Sequence, residues 1–173
     1  VTKLAKEYFN LKDNPRLNIF HEDGRVFLNT NQKKYDVLFG DAFSSHYSIP
    51  HQLTTLQAVQ KTYDALNDDG VVILNTISSV EGNKGQFLRA ELATYKSIFP
   101  QVYIFPVTDS KDGLQVQNII LVALKSKTVP SFKSNDTEIN GFLSHLWNQG
   151  VTNDKPILTD DYAPVEYYIN RTE

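Results

Sequence analysis

The residue best placed for chemistry is Asp41. It lies in the stretch Tyr35 to Pro50, YDVLFGDAFSSHYSIP, directly after the apolar run Val37-Leu38-Phe39 and Gly40. Such a run, bounded by polar residues, predicts a strand buried on both faces. In open α/β sheets ligands bind beyond the carboxyl ends of the strands. A carboxylate there can hold a cation or take a proton from a nucleophile. The loop that follows is rich in Ser, carries His46 and Tyr47, and closes at Pro50. Asp23, in His21-Glu22-Asp23-Gly24-Arg25, is a second candidate. It sits where a strand would give way to a helix, so it either caps backbone N–H groups or binds a ligand. A third acidic site, Asp160-Asp161, precedes Tyr162. It reads either as a solvated turn or as part of a functional site.

Other chemistries are poorly represented. The chain has no cysteine, which removes disulfides, thiolate metal sites and a Cys nucleophile and fits a cytoplasmic location. His21, His46, His51 and His145 fall at no metal-ligand spacing, so no metal is expected. Ser44 and Ser45 lack the Gly-x-Ser-x-Gly context of a hydrolase nucleophile. A net charge of −3 without a basic block argues against nucleic acid as a partner. With 40% hydrophobic and 21% charged residues the chain reads as a globular domain with a sizeable core. No apolar run reaches the ~18 residues of a membrane helix.

The elements that must position these residues follow from periodicity. A helix is expected over Thr2 to Phe9, a short strand over Leu17 to Phe20 and a short helix over Val26 to Asn31. The strand Tyr35 to Asp41 is followed by a helix over Gln52 to Leu66, where Leu53, Leu56, Val59, Tyr63 and Leu66 share a face. After a turn at Asn67 to Gly70 come a buried strand Val71 to Asn75 and a helix Gln86 to Phe99. Val102 to Pro106 and Val116 to Leu124 predict an antiparallel hairpin at the sheet edge. A last helix is expected over Thr137 to Gln149, with Ile139, Phe142, Leu143 and Leu146 inward and Trp147 in the core. No repeat, linker or second domain is visible in residues 1–173. Strands alternating with helices and then a hairpin argue for an α/β sheet.

In that order the residues resemble the polyamine aminopropyltransferase (spermidine synthase) family. The stretches that carry the likeness are Ala5 to Phe9, Pro15-Arg16-Leu17, Asp23 to Leu28, Tyr35-Asp36-Val37, Asp41-Ala42-Phe43 and Ile49 to Thr55. Asp69-Gly70-Val71, Asn75, Phe99-Pro100 and Leu158 to Glu166 complete it. The resemblance implies a methyltransferase-like Rossmann fold, a three-layer α/β sheet ending in a β-hairpin. It also implies transfer of an aminopropyl group from decarboxylated S-adenosylmethionine to a polyamine such as putrescine. Asp41 matches the aspartate that accepts a proton from, or orients, the attacking amine. Asp23 matches the one that contacts the adenine amino group, with Gly24 letting the base approach. Tyr47, Asp161 and Tyr162 are candidates for the amine pocket.

Two departures are plain. No carboxylate follows Asp41 through His46, where the family has a second acid, so the acceptor stays open. The first two strands of the fold, with their glycine-rich turn, would have to precede Val1. The chain has no Met, and a piece of a longer polypeptide is expected, in which a membrane segment could precede it. Without those strands Leu17 to Phe20 would lack its neighbour, and the expectation is a rearranged or dimer-completed sheet, hence a homo-oligomer. Two other readings stand beside this one: an S-adenosylmethionine-dependent methyltransferase on the same scaffold, and a non-catalytic binding module.

Overall fold

The continuous Val, Ile and Leu runs pair as strands, because burying them on both sides also requires their backbone groups to be hydrogen-bonded. The structure is a computed structural model that describes residues 1–42 and 49–170. The helices are α1 (Thr2–Tyr8), α2 (Gly24–Thr30), α3 (Leu56–Asp64), α4 (Gln86–Lys96), α5 (Thr137–Leu143) and α6 (Val165–Ile169). The strands are β1 (Tyr35–Gly40), β2 (Leu66–Ser78), β3 (Gln101–Pro106) and β4 (Gln117–Leu124). They form one mixed sheet in the order β1-β2-β4-β3 among the described residues. β1 runs parallel to β2, and β4 is antiparallel to both of its neighbours. The hairpin expected at the sheet edge is therefore present as β3 and β4.

Register divides the sheet into two faces. Leu38, Val72, Leu74, Ile104, Leu121 and Ala123 project from one. There they join Val59 of α3 and Leu88, Leu92 and Tyr95 of α4 in the main core. α4 is buried almost all round. Its Phe87 and Ala90 turn away from the sheet and pack with Ile49, Leu158, Val165 and Tyr168, so the C-terminal tail forms an outer layer. The other face presents Val37, Phe39, Ile73, Asn75, Ile120 and Val122 and carries only the segment around Phe132, Phe142 and His145. The three-layer expectation is met unevenly: α2, α3 and α4 cover one side, and among the described residues the short α5 lies opposite, with Phe142 and Leu143 beside Ile73, Ile120 and Val122.

Several expected boundaries shift for physical reasons. The Gln52 to Leu66 helix divides into a 3-10 turn, His51–Leu53, and α3, because Thr55 turns its hydroxyl to cap the Ala58 amide at 3.3 Å. The Asn67 to Gly70 turn is absorbed into an irregularity of β2: Tyr35 pairs with Leu66, but Val37 pairs with Val71. Leu17 to Phe20 is no strand, and among the described residues β1 has β2 as its one strand neighbour. The chain does not rearrange its own sheet to cover that edge. With no paired backbone to join, the segment stays exposed, and the Leu17 amide turns back to the Asn14 carbonyl at 2.9 Å. The last helix ends at Leu143, and Ile139 and Phe142 are exposed instead of inward. Beyond it His145 Nδ1 lies 2.8 Å from the Pro106 carbonyl, and the Trp147 amide donates to the Ile104 carbonyl at 2.9 Å. Docking on the free edge of β3 pulls the chain out of helical register and delivers Trp147 to the core.

Candidate active site

Asp41 follows the last residue of β1, and its position depends on Gly40. A Cβ on Gly40 would fall 2.1 Å from Leu74 Cδ2, so any side chain there would push the buried Leu74 out of its place against the end of β1. Asp41 Oδ1 accepts a hydrogen bond from Asn75 Nδ2 at 3.0 Å, and Asn75 Oδ1 in turn accepts from Asn118 Nδ2 at 3.0 Å. These two amides sit on β2 and β4, on the open face of the sheet. Asn75 holds the carboxylate from one side and, among the described residues, is its one side-chain hydrogen-bond donor.

Two cavities meet at Asp41. One, of about 610 Å³, is bounded by Phe39, Ile73, Asn75, Val107, Thr108 and Asn118. The other, of about 260 Å³, lies between α2, α3 and the sheet. Gly24, Phe27, Leu53, Leu74 and Tyr95 line it together with Asp41. An apolar wall with few polar groups at its mouth is the usual form of a small-molecule site. Asp41 and Gly24, far apart in sequence, thus share one crevice.

Asp23 caps α2. Its Oδ1 accepts from the Arg25 amide at 2.8 Å and the Val26 amide at 3.2 Å, while Oδ2 accepts from Gln52 Nε2 at 3.3 Å. The backbone bonds from Val26 and Arg25, with help from Gln52, hold the carboxyl below its usual range. Capping thus engages one oxygen and leaves the other exposed with lone pairs to spare. Gly24 lets α2 approach the 51–53 turn, since a Cβ would stand 3.3 Å from Leu53 Cδ1.

The tail is arranged differently from the sequence reading. Asp161 is exposed and Tyr162 mostly so, and neither lines a cavity that contains Asp41. Tyr162 exchanges backbone hydrogen bonds with Thr159 and reaches Tyr168. Asp160 is the engaged acid. Its Oδ2 accepts from Arg25 Nη2 at 2.7 Å and its Oδ1 from Thr55 Oγ1 at 2.6 Å. The Thr55 hydroxyl and then Arg25 hold its carboxyl below the usual range. Tyr47 lies outside the described residues.

Periodicity could not find Arg25, Thr55, Asp160 and Asn118, whose partners are 30 or more residues away in sequence for most of their contacts. One signal was present: Asn75 interrupts the apolar run Val71 to Leu74, and a polar residue in a buried strand calls for a partner.

The chain is similar to known proteins. The model of the spermine/spermidine synthase domain matches residues 2–128. A probable polyamine aminopropyl transferase of Bifidobacterium longum is 29% identical over 96% of this chain and 41% of its own length. Among solved structures, a probable spermidine synthase from Corynebacterium glutamicum superposes with a TM-score of 0.65 at 23% identity, over 87% of this chain and 52% of that one. Human methyltransferase-like protein 13, solved in complex with SAH, gives 0.58 at 18% identity, over 99% and 68%. These likenesses show a Rossmann-like methyltransferase fold, and the chain spans about half the length, or less, of the aminopropyltransferases it matches. From the residues matched by the domain model, the chain belongs to the spermine/spermidine synthase domain family.

Proposed function

We propose that this chain carries the amine-activating part of an aminopropyltransferase. The single observation that carries the reading is Asp41, tethered by Asn75 at the mouth of a crevice shared with Gly24. A primary amine is protonated at neutral pH and cannot attack as such. Asp41 holds the ammonium ion, takes its proton, and leaves the nitrogen lone pair free to form a bond to the carbon attached to the sulfonium. The C–S bond breaks, its electrons return to sulfur, and a neutral methylthio-nucleoside departs without needing an acid. Much of the acceleration comes from aligning nitrogen, carbon and sulfur in a partly dry crevice.

The co-substrate is decarboxylated S-adenosylmethionine. Its adenine lies against Gly24 and Leu53, with the exposed Asp23 Oδ2 accepting from the exocyclic amino group. The acceptor is a polyamine such as putrescine, and Tyr47, Asp161 and Tyr162 remain the candidates for its far end. The family match and the adenosyl ligand of the human neighbour support this assignment. It carries with it a cytoplasmic reaction and a homo-oligomer. A helix long and apolar enough to cross a membrane is absent among the described residues, and any membrane tether would belong to a longer parent chain.

The test is to incubate the full-length protein with putrescine and decarboxylated S-adenosylmethionine and to analyse products by mass spectrometry. Equal amounts of aminopropylated amine and methylthio-nucleoside are expected. Methylated product formed from ordinary S-adenosylmethionine, with no aminopropyl transfer, would replace this reading with a methyltransferase.

A further inference from the structure

We propose that Arg25, Thr55 and Asp160 form a clamp that positions the nucleoside end of the crevice, a role that rests on the aminopropyltransferase reading of the same site. Arg25 lies two residues beyond Asp23, in the first turn of α2, and its side chain is only 16% exposed. Its guanidinium binds Asp160 through both terminal nitrogens, Nη2 to Oδ2 at 2.7 Å and Nη1 to Oδ1 at 3.2 Å. Nη1 also donates to the Gln52 carbonyl at 2.8 Å and to Thr55 Oγ1 at 3.1 Å. Thr55 completes a triangle by donating to Asp160 at 2.6 Å. A planar fork with several fixed acceptors is the part of this network that Lys could not reproduce.

The network joins three separate segments. One is the Asp23-Gly24 corner, the second is the 51–55 segment, and the third is the C-terminal tail. Gln52 is gripped twice, at its side chain by Asp23 and at its carbonyl by Arg25. Leu53, the next residue, packs against Gly24 and lines the crevice with it. The 51–55 segment also receives the chain returning from the loop that begins at Asp41. Fixing it therefore sets the width of the crevice that Leu53 lines.

Holding the tail in place is not what the clamp is needed for. Leu158 is fully buried, donates its amide to Thr94 Oγ1 at 2.9 Å and accepts from the Leu56 amide at 2.7 Å. Val165 and Tyr168 are buried in the same apolar cluster. The tail is anchored by these contacts, and Asp160 projects from it as a finger onto α2 and α3. Arg25 and Asp160 are thus positioning residues that act through Asp23, Gly24 and Leu53.

Two measurements on full-length Asp160→Asn and Arg25→Lys test the clamp. The first is peptide-resolved amide hydrogen exchange without ligand. Faster exchange is expected over residues 24–28 and 52–58, with the 165–169 helix unchanged. Faster exchange confined to the tail, with the other two segments unaltered, would overturn the proposal. The second is transfer kinetics. The KM for the adenosyl co-substrate should rise about tenfold in each single variant, equivalent to about 1.4 kcal/mol, and no further in the double variant. The KM for the amine should stay within twofold. An unchanged co-substrate KM with only a lower unfolding temperature would reduce the network to a structural brace. Absence of transfer in the parent protein would count against the aminopropyltransferase reading, and the exchange experiment would still decide the clamp.

Discussion

The two faces of the sheet come from the same strands and have opposite characters. On one, Val72, Leu74, Leu121 and Ala123 are sealed under α3 and α4. On the other, Ile73 and Val122 are half-covered and Phe39 is 76% exposed, and there Asp41, Asn75 and Asn118 link their side chains. The sealed face has the continuous packing that stabilises a domain. The open face places a carboxylate and two amides beside apolar surface, where a ligand can displace water. The crevice that Asp41 shares with Gly24 borders the sealed side through Leu38, Val72, Leu74 and Tyr95, so the site and the core part at the end of β1, and substitutions at that end and deep under the helices should have different consequences.

The largest effect is expected at Asp41. Asp41→Asn in the full-length protein should lower kcat by about 10²–10⁴-fold, the range for losing a general base, with chemical denaturation essentially unchanged. A loss of folding instead would break the separation. Leu121→Ala, on the sealed face, should cost about 2–5 kcal/mol in a denaturant titration, while kcat per folded molecule stays near that of the parent.

Glu91 sharpens the comparison from inside the sealed side. Neither of its carboxyl oxygens has a hydrogen-bond partner among the described residues, and burial pushes its carboxyl up to about 8. The neighbouring Tyr95 hydroxyl is raised as well, by burial and then by the Glu91 charge. The unfolded chain releases the Glu91 proton near the ordinary carboxyl range, whereas the folded one keeps it until about pH 8. Its contribution to stability is therefore full in acid and declines as pH rises to that value, with a slope of at most about 1.4 kcal/mol per pH unit. Glu91→Gln should flatten that slope and stabilise the protein at neutral pH, as read from unfolding midpoints across pH. The smallest effect is expected at Phe142, which is 65% exposed beside the open face. Phe142→Ser should change stability by no more than about 0.5 kcal/mol.

Legibility in the sequence followed the same division. Val71 to Asn75 and Val116 to Leu124 announced buried strands, and the 86–99 segment announced its helix, because dense packing writes itself into continuous or periodic apolar residues. Asp41 was found because strand ends are where an α/β sheet presents side chains to ligands. The tail could not be read at that level. Asp160 and Asp161 are adjacent and chemically identical, and which one meets Arg25 is decided by a turn held between Thr159 and Tyr162. Leu17 to Phe20 had the composition of a strand but lacked a neighbour, and strand formation depends on that pairing more than on propensity. Ile139 and Phe142 had helical spacing without a surface to receive them.

The most direct test is the structure of the full-length protein with the methylthio-nucleoside product bound. The account requires the purine against Gly24 and Leu53, its amino group within hydrogen-bond reach of Asp23, and the sulfur turned toward Asp41. A nucleoside seated outside this crevice, or with its sulfur directed away from Asp41, would contradict it.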